Sequence, residues 1–470
     1  MVFAAISYCG LAQNNTWSDM YGKDFKVPNG YISSISAGSM GEFIGGGFWS
    51  IHEFTSRELP MYNIAKWLDT SWTQVGSGAE NGVNSSVIAL CQTSQHLYVC
   101  GPFDTAGVVP ARGIGRWNGS SWHSLGANLL PYRSILSINA SDSIVYVGGI
   151  FDTIGGSAFI SIAKYNGTTW SGLGAGLRKI STERSLSPFG QVYSIVTKDS
   201  NVYAGGIFDT AGTIPVKNIA RWDGSSWHAM GAGINGRVNA MAVLPNGNVV
   251  VVSSRDSGTT VIENHIKIWN GSEWNELPAI SPQNSFNAVA LDSSRIYIGG
   301  DFSVDGSDTN RSLAMWDGNA WQSVGGGVWG TVSTLCFYNG SLYVGGMFSS
   351  VGSNSLQTWN IAKWQVRDQD TIGTGSNQSP TSQTITSRSF PNPSGNDEIT
   401  IEFTLMKAGN TTIQMVTTEG QVIEKLASRY YEAGTHSVTW KVSKGASSQV
   451  YYCQIAQNGE IKANKIILQH

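Results

Sequence analysis

One short phrase returns along this chain and limits what it can fold into. LYVCGPFDTAG (97–107), VYVGGIFDTIG (145–155), VYAGGIFDTAG (202–212), IYIGGDFSVDG (296–306) and LYVGGMFSSVG (342–352) align without gaps. EFIGGGFWS (42–50) and VVVVSSRDSG (249–258) are looser copies, which makes seven. An aromatic follows each copy: Trp67, Trp117, Tyr165, Trp222, Trp269, Trp316 and Trp364. The period is about 46 to 57 residues, the range in which a repeat is one supersecondary unit that buries its faces only by stacking on its neighbours.

Each unit reads as four short antiparallel strands. In 237–278, RVNAMAVL is apolar, PNGN turns, NVVVVSS runs back, HIKIW makes a third strand, and Asn-Gly turns into SEWNEL. Asn-Gly or Asp-Gly recurs at 118–119, 166–167, 223–224, 270–271 and 317–318. These dipeptides accept the positive φ angles of tight hairpins. The N-x-S/T sequences at Asn118, Asn166 and Asn270 are therefore turn chemistry first. Four-stranded units at this period make an all-β propeller of seven blades. The strand segments are rich in Val, Ile, Tyr and Trp, and none has a helical period.

The chain opens on half of its own motif. RWDGSSWHAMGAG (221–233) carries two tryptophans, whereas NNTWSDMYGK (14–23) carries only the second, Trp17. The last repeat, NIAKWQVRDQD (360–370), has Trp364 but Gln369 where its partner should stand. The expectation is that the segment around Trp17 supplies the outermost strand of the last blade and closes the ring, leaving no blade edge open there.

The phrase Y-x-G-G-x-F followed by I-A-(K/R)-W-(D/N)-G-x-x-W resembles the kelch or galactose-oxidase-like propeller repeat. The resemblance covers residues 14–366 and implies the fold more than an activity. Galactose oxidases hold copper with paired histidines and tyrosines, one cross-linked to a cysteine. No such set assembles from this sequence, so no cofactor or metal is expected.

Residues 367–388 are polar, rich in Ser, Thr and Gln, and read as a flexible linker. From 389 to 470 the chain alternates again, with ITIEFTL, TTIQMVT, HSVTWKV and VYYCQIA separated by Gly and Asn turns, a pattern for a small Ig-like β-sandwich. Phe390-Pro391-Asn392-Pro393, Thr418-Glu419-Gly420-Gln421-Val422, Ala433-Gly434-Thr435-His436, Val450-Tyr451-Tyr452 and Lys465-Ile466-Ile467 resemble the C-terminal sorting domain of proteins exported by the type IX secretion system of certain Gram-negative bacteria. The resemblance implies a secreted or cell-surface protein with the secretion machinery as a partner. Residues 1–13, MVFAAISYCGLAQ, resemble the end of a secretory signal peptide without its basic start.

Composition removes several function classes. The net charge is −3 and charged residues are 13%, so there is no electrostatic footprint for nucleic acid. No apolar run is long enough for a membrane span. The five cysteines form no CxxC pair. Cys91 and Cys100 sit diagonally on one hairpin, where a strained disulfide and two buried thiols are both open. The seven histidines are scattered, and no metalloprotease, phosphate-loop or serine-nucleophile motif appears. Asp104, Asp152 and Asp209 of the F-D-T phrase read as turn residues that cap their own backbone, because one carboxylate per blade cannot supply the six or more oxygens calcium takes. No catalytic residues emerge, and the chain reads as a binding module rather than an enzyme. A polysaccharide-acting hydrolase or lyase on the same scaffold is the alternative.

The tryptophans outside the repeat slots carry the site expectation. Trp49, Trp329 and Trp359 fall in second-to-third or fourth-to-first connections, which emerge on one face, and in a closed ring the first and last blades are neighbours. The insertions 49–62 and 177–188 emerge there too, with His52, Arg57, Arg178, Lys179 and Arg184. Loops on a rigid scaffold are where binding residues concentrate. Exposed aromatics beside polar groups suit a glycan or a surface protein as ligand.

Overall fold

A computed structural model describes residues 16–18, 30–52, 58–68, 71–141, 143–180, 189–256, 262–280, 285–292, 295–304, 311–353, 355–366, 385–390, 398–405, 408–416, 422–442, 450–457 and 460–467. The segment 1–13 and most of the linker 367–388 lie outside them. The chain divides into two compact units, Met1–Asp370 and Thr371–His470.

In the first unit, seven antiparallel sheets of four or five strands are found among the described residues, six of them with their strands in sequence order, beside three smaller sheets of two or three strands. The first contains Tyr31–Gly38, Gly41–Gly47, Ile64–Leu68 and Ser71–Gln74; the fourth contains Gln191–Lys198, Asn201–Ile207, Ile219–Trp222 and Trp227–Ala229. The degenerate repeat at 249–258 still forms a second strand, Val249–Asp256, in the fifth sheet. The turns between third and fourth strands work as the sequence requires. Asn118 Oδ1 accepts the backbone N–H groups of Ser120 and Ser121, and Asp223 Oδ1 those of Ser225 and Ser226.

The seventh sheet draws on both ends of the unit. Val328–Tyr338, Ser341–Val351 and Ile361–Gln365 supply three strands, and Thr16–Ser18 pairs antiparallel with the third, Trp17 opposite Trp364. The two indoles meet edge to face at 5.0 Å, as Trp67 and Trp72 do at 5.1 Å within the first sheet.

The first strands of successive sheets lie side by side, and the first strand of the seventh lies beside that of the first. The double glycine explains how closely they pack. A Cβ on Gly148 would come within 2.4 Å of Val192 in the next sheet, one on Gly205 within 2.5 Å of Val238, and one on Gly345 within 2.8 Å of Ile32. The second glycine sits against the bulge of its own first strand, where a Cβ on Gly206 would meet the Gln191 carbonyl at 1.8 Å.

A further link joins the sheets just before the third strand. Asn63, Asn218 and Asn360 hold φ near +60°, a left-handed conformation that Asn tolerates. Each accepts an amide from its own connection through Oδ1 and donates from Nδ2 to the loop entering the next sheet, at Val83, Ile234 and Gly30. Asn360 thereby joins the seventh sheet to the start of the first.

Cys91 and Cys100 are free thiols. Cys91 is opposite Tyr98 and Cys100 opposite Ala89, so the diagonal offset keeps them apart. Each sulfur is engaged elsewhere: Cys91 Sγ accepts the Ala140 amide at 3.3 Å and Cys100 Sγ donates to the Ala89 carbonyl at 3.5 Å. Burial pushes the two thiols up to about 11 and about 12.

The second unit has a three-stranded sheet of Ile385–Phe390, Glu398–Leu405 and Gly434–Lys441, and a four-stranded sheet of Val422–Tyr431, Gly409–Val416, Val450–Gln457 and Glu460–Ile467. Ile401, Phe403 and Trp440 from one sheet and Ile413, Met415 and Cys453 from the other share its core. No helix among the described residues is long and apolar enough to cross a membrane.

Candidate ligand face

Antiparallel order puts second-to-third and fourth-to-first connections on one face of the first unit and the tight hairpin turns on the other. Exposed large hydrophobic side chains divide unequally between them. Of eleven among the described residues of this unit, only Leu68 and Tyr338 lie toward the hairpin turns. Tyr31, Trp49, Tyr62, Val108, Leu130, Tyr132, Ile180, Met347 and Trp359 lie toward the connecting loops. Surface apolar side chains scattered singly need no explanation, but a one-sided distribution does.

Trp49 follows the second strand of the first sheet and is 77% exposed. The loop that bears it is pinned where it turns back, with the Met61 amide on the Trp49 carbonyl at 3.0 Å. Trp359 is exposed beside Asn360, whose Nδ2 reaches the Gly30 carbonyl at 3.1 Å. The Trp359 connection therefore meets the entry to the first sheet. Beside that entry, Tyr31 lays its ring over Gly47, where a Cβ would meet it at 2.7 Å.

The other expected residues are placed less simply. Trp329 lies within the strand Val328–Tyr338, not in a loop, and is half-buried with the Arg311 guanidinium 5.4 Å from its ring. The backbone of His52 pairs with Glu58 in a two-stranded hairpin. Arg178 is half-buried in a short strand opposite Thr210, and Lys179 is committed to Asp209 at 3.3 Å. Arg57 and Arg184 lie outside the described residues. The first and seventh sheets thus bring Trp49, Trp359 and Trp329 into one sector, while Arg178 and Lys179 lie in the connection to the fourth sheet, three sheets away, where Arg178 joins a separate three-stranded sheet.

The F-D-T aspartates do more than cap their own turns, although Asp152 does accept its own backbone amide. Asp104 pairs with Arg112 at 3.1 Å, Asp152 with Arg133 at 3.1 Å, and Asp209 with Lys179 while also accepting the Ile180 amide at 2.8 Å. In the last two the cation comes from the loop entering the sheet, which sequence spacing does not show. The Arg133 hydrogen bond holds the Asp152 carboxyl below the usual carboxylate range.

Tyr132 was not signalled by the repeat. It is 98% exposed with φ +62°, and the Arg133 amide closes the turn on the Leu130 carbonyl at 3.2 Å. Leu129 is buried beneath it, and Arg133 is fixed both by Asp152 and by the Phe189 ring, 5.1 Å away. A bulky residue in the left-handed region marks backbone held by its surroundings. The result is an aromatic ring presented to solvent on an anchored turn.

Such a face can stack planar or ring-shaped groups on fixed aromatics while nearby backbone and side-chain groups supply hydrogen bonds. Among the described residues no three His, Cys, Asp or Glu side chains gather as a metal set. His123 and His228, at equivalent repeat positions, bind their own hairpin turns on the opposite side, His228 Nε2 lying 2.6 Å from Asp223 Oδ2 and His123 Nε2 3.0 Å from Asn118 Nδ2.

Two family descriptions match. The Rax2 C-terminal beta propeller domain matches residues 179–335, and the secretion system C-terminal sorting domain matches residues 388–469. No curated protein matches the chain. Among solved structures, a Dyadobacter fermentans DSM 18053 protein of unknown function is similar at 9% identity, covering 78% of this chain and 97% of its own, with a TM-score of 0.29. A Trypanosoma rangeli sialidase in complex with the inhibitor DANA is similar at 9% identity, covering 96% and 88%, with a TM-score of 0.26. Neither likeness carries an argument at these scores. The two family matches leave a β-propeller protein with a type IX C-terminal sorting domain, which marks the chain for export.

Proposed function

We propose that this chain is an exported, kelch-like seven-bladed β-propeller, closed by its N-terminal strand, that binds a glycan or a surface protein through the face of connecting loops. An Ig-like sorting sandwich at 389–470, beyond a linker at 367–388, addresses it to the outer surface or surroundings of a Gram-negative bacterium. Seven sheets with side-by-side first strands, and the Trp17–Trp364 pair, support the closed seven-bladed reading. The observation that carries the binding role is the one-sided exposure of large apolar side chains, led by Trp49, Tyr132 and Trp359. Aromatic rings are frequent anchors of recognition because they combine large contact area with few rotatable bonds. Trp329, His52, Arg57, Arg178, Lys179 and Arg184 belong to the same proposed face, Trp329 and Lys179 as supports rather than free contacts.

The test is a glycan array and a cell-surface binding assay with the full chain. Retention on a glycan or surface protein, lost in Trp49→Ala, is the expected result. Cleavage of a polysaccharide by the unmodified chain would replace a binding role with a catalytic one.

A further inference from the structure

Six of the seven sheets place an aliphatic side chain opposite the aromatic of their third strand: Leu97, Val145, Val202, Val249, Ile296 and Leu342. All six are buried. The first sheet places Glu42 there, opposite Trp67. Its side chain is only 21% exposed, and Oε2 is buried without a hydrogen-bond partner.

What Glu42 meets belongs to the seventh sheet. The Tyr343 hydroxyl donates to Oε1, and Lys363 Nζ lies 3.4 Å from the same oxygen. Lys363 is directly opposite Tyr343 and 4.8 Å from its ring centroid. Tyrosine opposite a cation is itself a repeat feature, as in Tyr98 with Arg116 and Tyr203 with Arg221. Those tyrosines pack against Val145 and Val249 of the following sheet. Among the described residues, only the junction from the seventh sheet to the first answers such a tyrosine–cation pair with a carboxylate of the following sheet.

We infer that Glu42, with Tyr343 and Lys363, is a closure key: it specifies which sheet may pack against the first. A carboxylate removed from water is tolerated only where charge and hydrogen bonds replace its hydration. The sixth sheet has Tyr297 opposite Met315 rather than a cation. The Tyr297 hydroxyl already donates to Asp292, which holds Arg295 at 2.8 Å, so a ring closed one sheet short would set Glu42 against a second carboxylate instead of the lysine. The Trp17 strand pairs with the same Ile361–Gln365 strand from its outer side, with Ser18 opposite Lys363. The key rests on the closed-ring reading but not on the binding role.

Among the described residues, no second charge competes for Lys363 from the seventh sheet. Cys336 faces Glu42 there, with Tyr338 beyond, next to Tyr343. Burial raises Tyr343 and Cys336 above their ordinary values, so both stay neutral beside the carboxylate. On its own sheet, Lys66 turns to the opposite side, over Phe43.

The experiment is hydrogen exchange by mass spectrometry on the full chain at pH 7, comparing wild type with Glu42→Gln and Glu42→Leu. At pH 7, Glu42→Gln should exchange about tenfold faster in Gly41–Gly47 and Ser341–Val351, and unchanged in Val145–Ile150. Glu42→Leu carries the residue class the other sheets use. It should stay protected, as the junctions where Tyr98 and Tyr203 meet Val145 and Val249 are. Equal exchange in Glu42→Gln and wild type, a rise spread evenly over all junctions, or exchange in Glu42→Leu as fast as in Glu42→Gln would each overturn the inference.

Discussion

Trp17 donates its indole N–H to the carbonyl of Gly325 at 2.9 Å, across 308 positions of sequence. The same bond recurs at five other junctions: Trp122 to Glu80 at 3.0 Å, Trp170 to Leu125, Trp227 to Leu173, Trp274 to Met230 and Trp321 to Pro278, each of the last four at 2.8 Å. The N-terminal strand therefore repeats a contact that elsewhere lies within about one repeat. Trp17→Ala should lower the stability of the first unit by about 3 kcal/mol, in the range for removing a large packed aromatic. Trp170→Ala is the matched comparison, and thermal melting followed by tryptophan fluorescence measures both. A Trp17→Ala chain that melts as wild type does would show that the strand is dispensable.

The glycine contacts give a second measure of closure. Gly345→Ala should destabilise as much as Gly205→Ala, by about 1–3 kcal/mol, because each new Cβ meets a β-branched side chain of the next sheet. Urea titration of the two variants checks the equality. Gly119→Ala, where a Cβ would meet nothing within 4 Å, separates crowding from the strain of φ +98°.

The anchored turn bearing Tyr132 should respond to acid through Asp152. Its folded carboxyl lies below the unfolded value because Arg133 donates to the charged form. The contribution is therefore fully present above the unfolded carboxylate range and fades as pH falls toward the folded value. Asp152→Asn should remove that contribution and flatten the local pH response. Exchange of the 128–134 backbone between pH 7 and pH 3 measures it, and an Asp152→Asn chain with the wild-type response would refute the clamp.

Alkylation reports on the thiols. Denatured without reductant, the chain should take up label at both Cys91 and Cys100, since the structure holds both as free thiols. In the native state both should label slowly, because burial raises them to about 11 and about 12 and keeps the thiolate scarce. A mass two units short, with neither position labelled after denaturation, would indicate the bridge.

Much of the sheet order was legible because the repeat writes it in residues with one local meaning. Asn-Gly and Asp-Gly fix hairpins, and the paired tryptophans fix adjacent strands, so the half-motif at Trp17 could be assigned to Trp364 from sequence alone. The face was legible for a related reason, since strand direction follows from counting hairpins. What stayed hidden depends on groups brought together from different repeats. Asp152 and Asp209 look like turn residues until the entering loops deliver Arg133 and Lys179. Trp329 reads as a loop residue until its strand extends and Arg311 covers it. Tyr132 has no repeat signature, because its exposure follows from an anchored turn between Leu129 and Arg133. Glu42 looks like a flaw in the looser first copy until Tyr343 and Lys363 stand against it.

The account turns on whether the loop face is where this protein binds. The direct measurement is retention of the full chain on an immobilised glycan array and on intact bacterial surfaces, comparing Trp49→Ala, Tyr132→Ala and Trp359→Ala with Leu68→Ala and Tyr338→Ala on the hairpin side. Loss of an aromatic anchor should weaken binding by roughly tenfold or more, about 1.4 kcal/mol or above, while the two hairpin-side variants bind as wild type does. Equal losses from both sides, or binding untouched by all three loop-face variants, would contradict it.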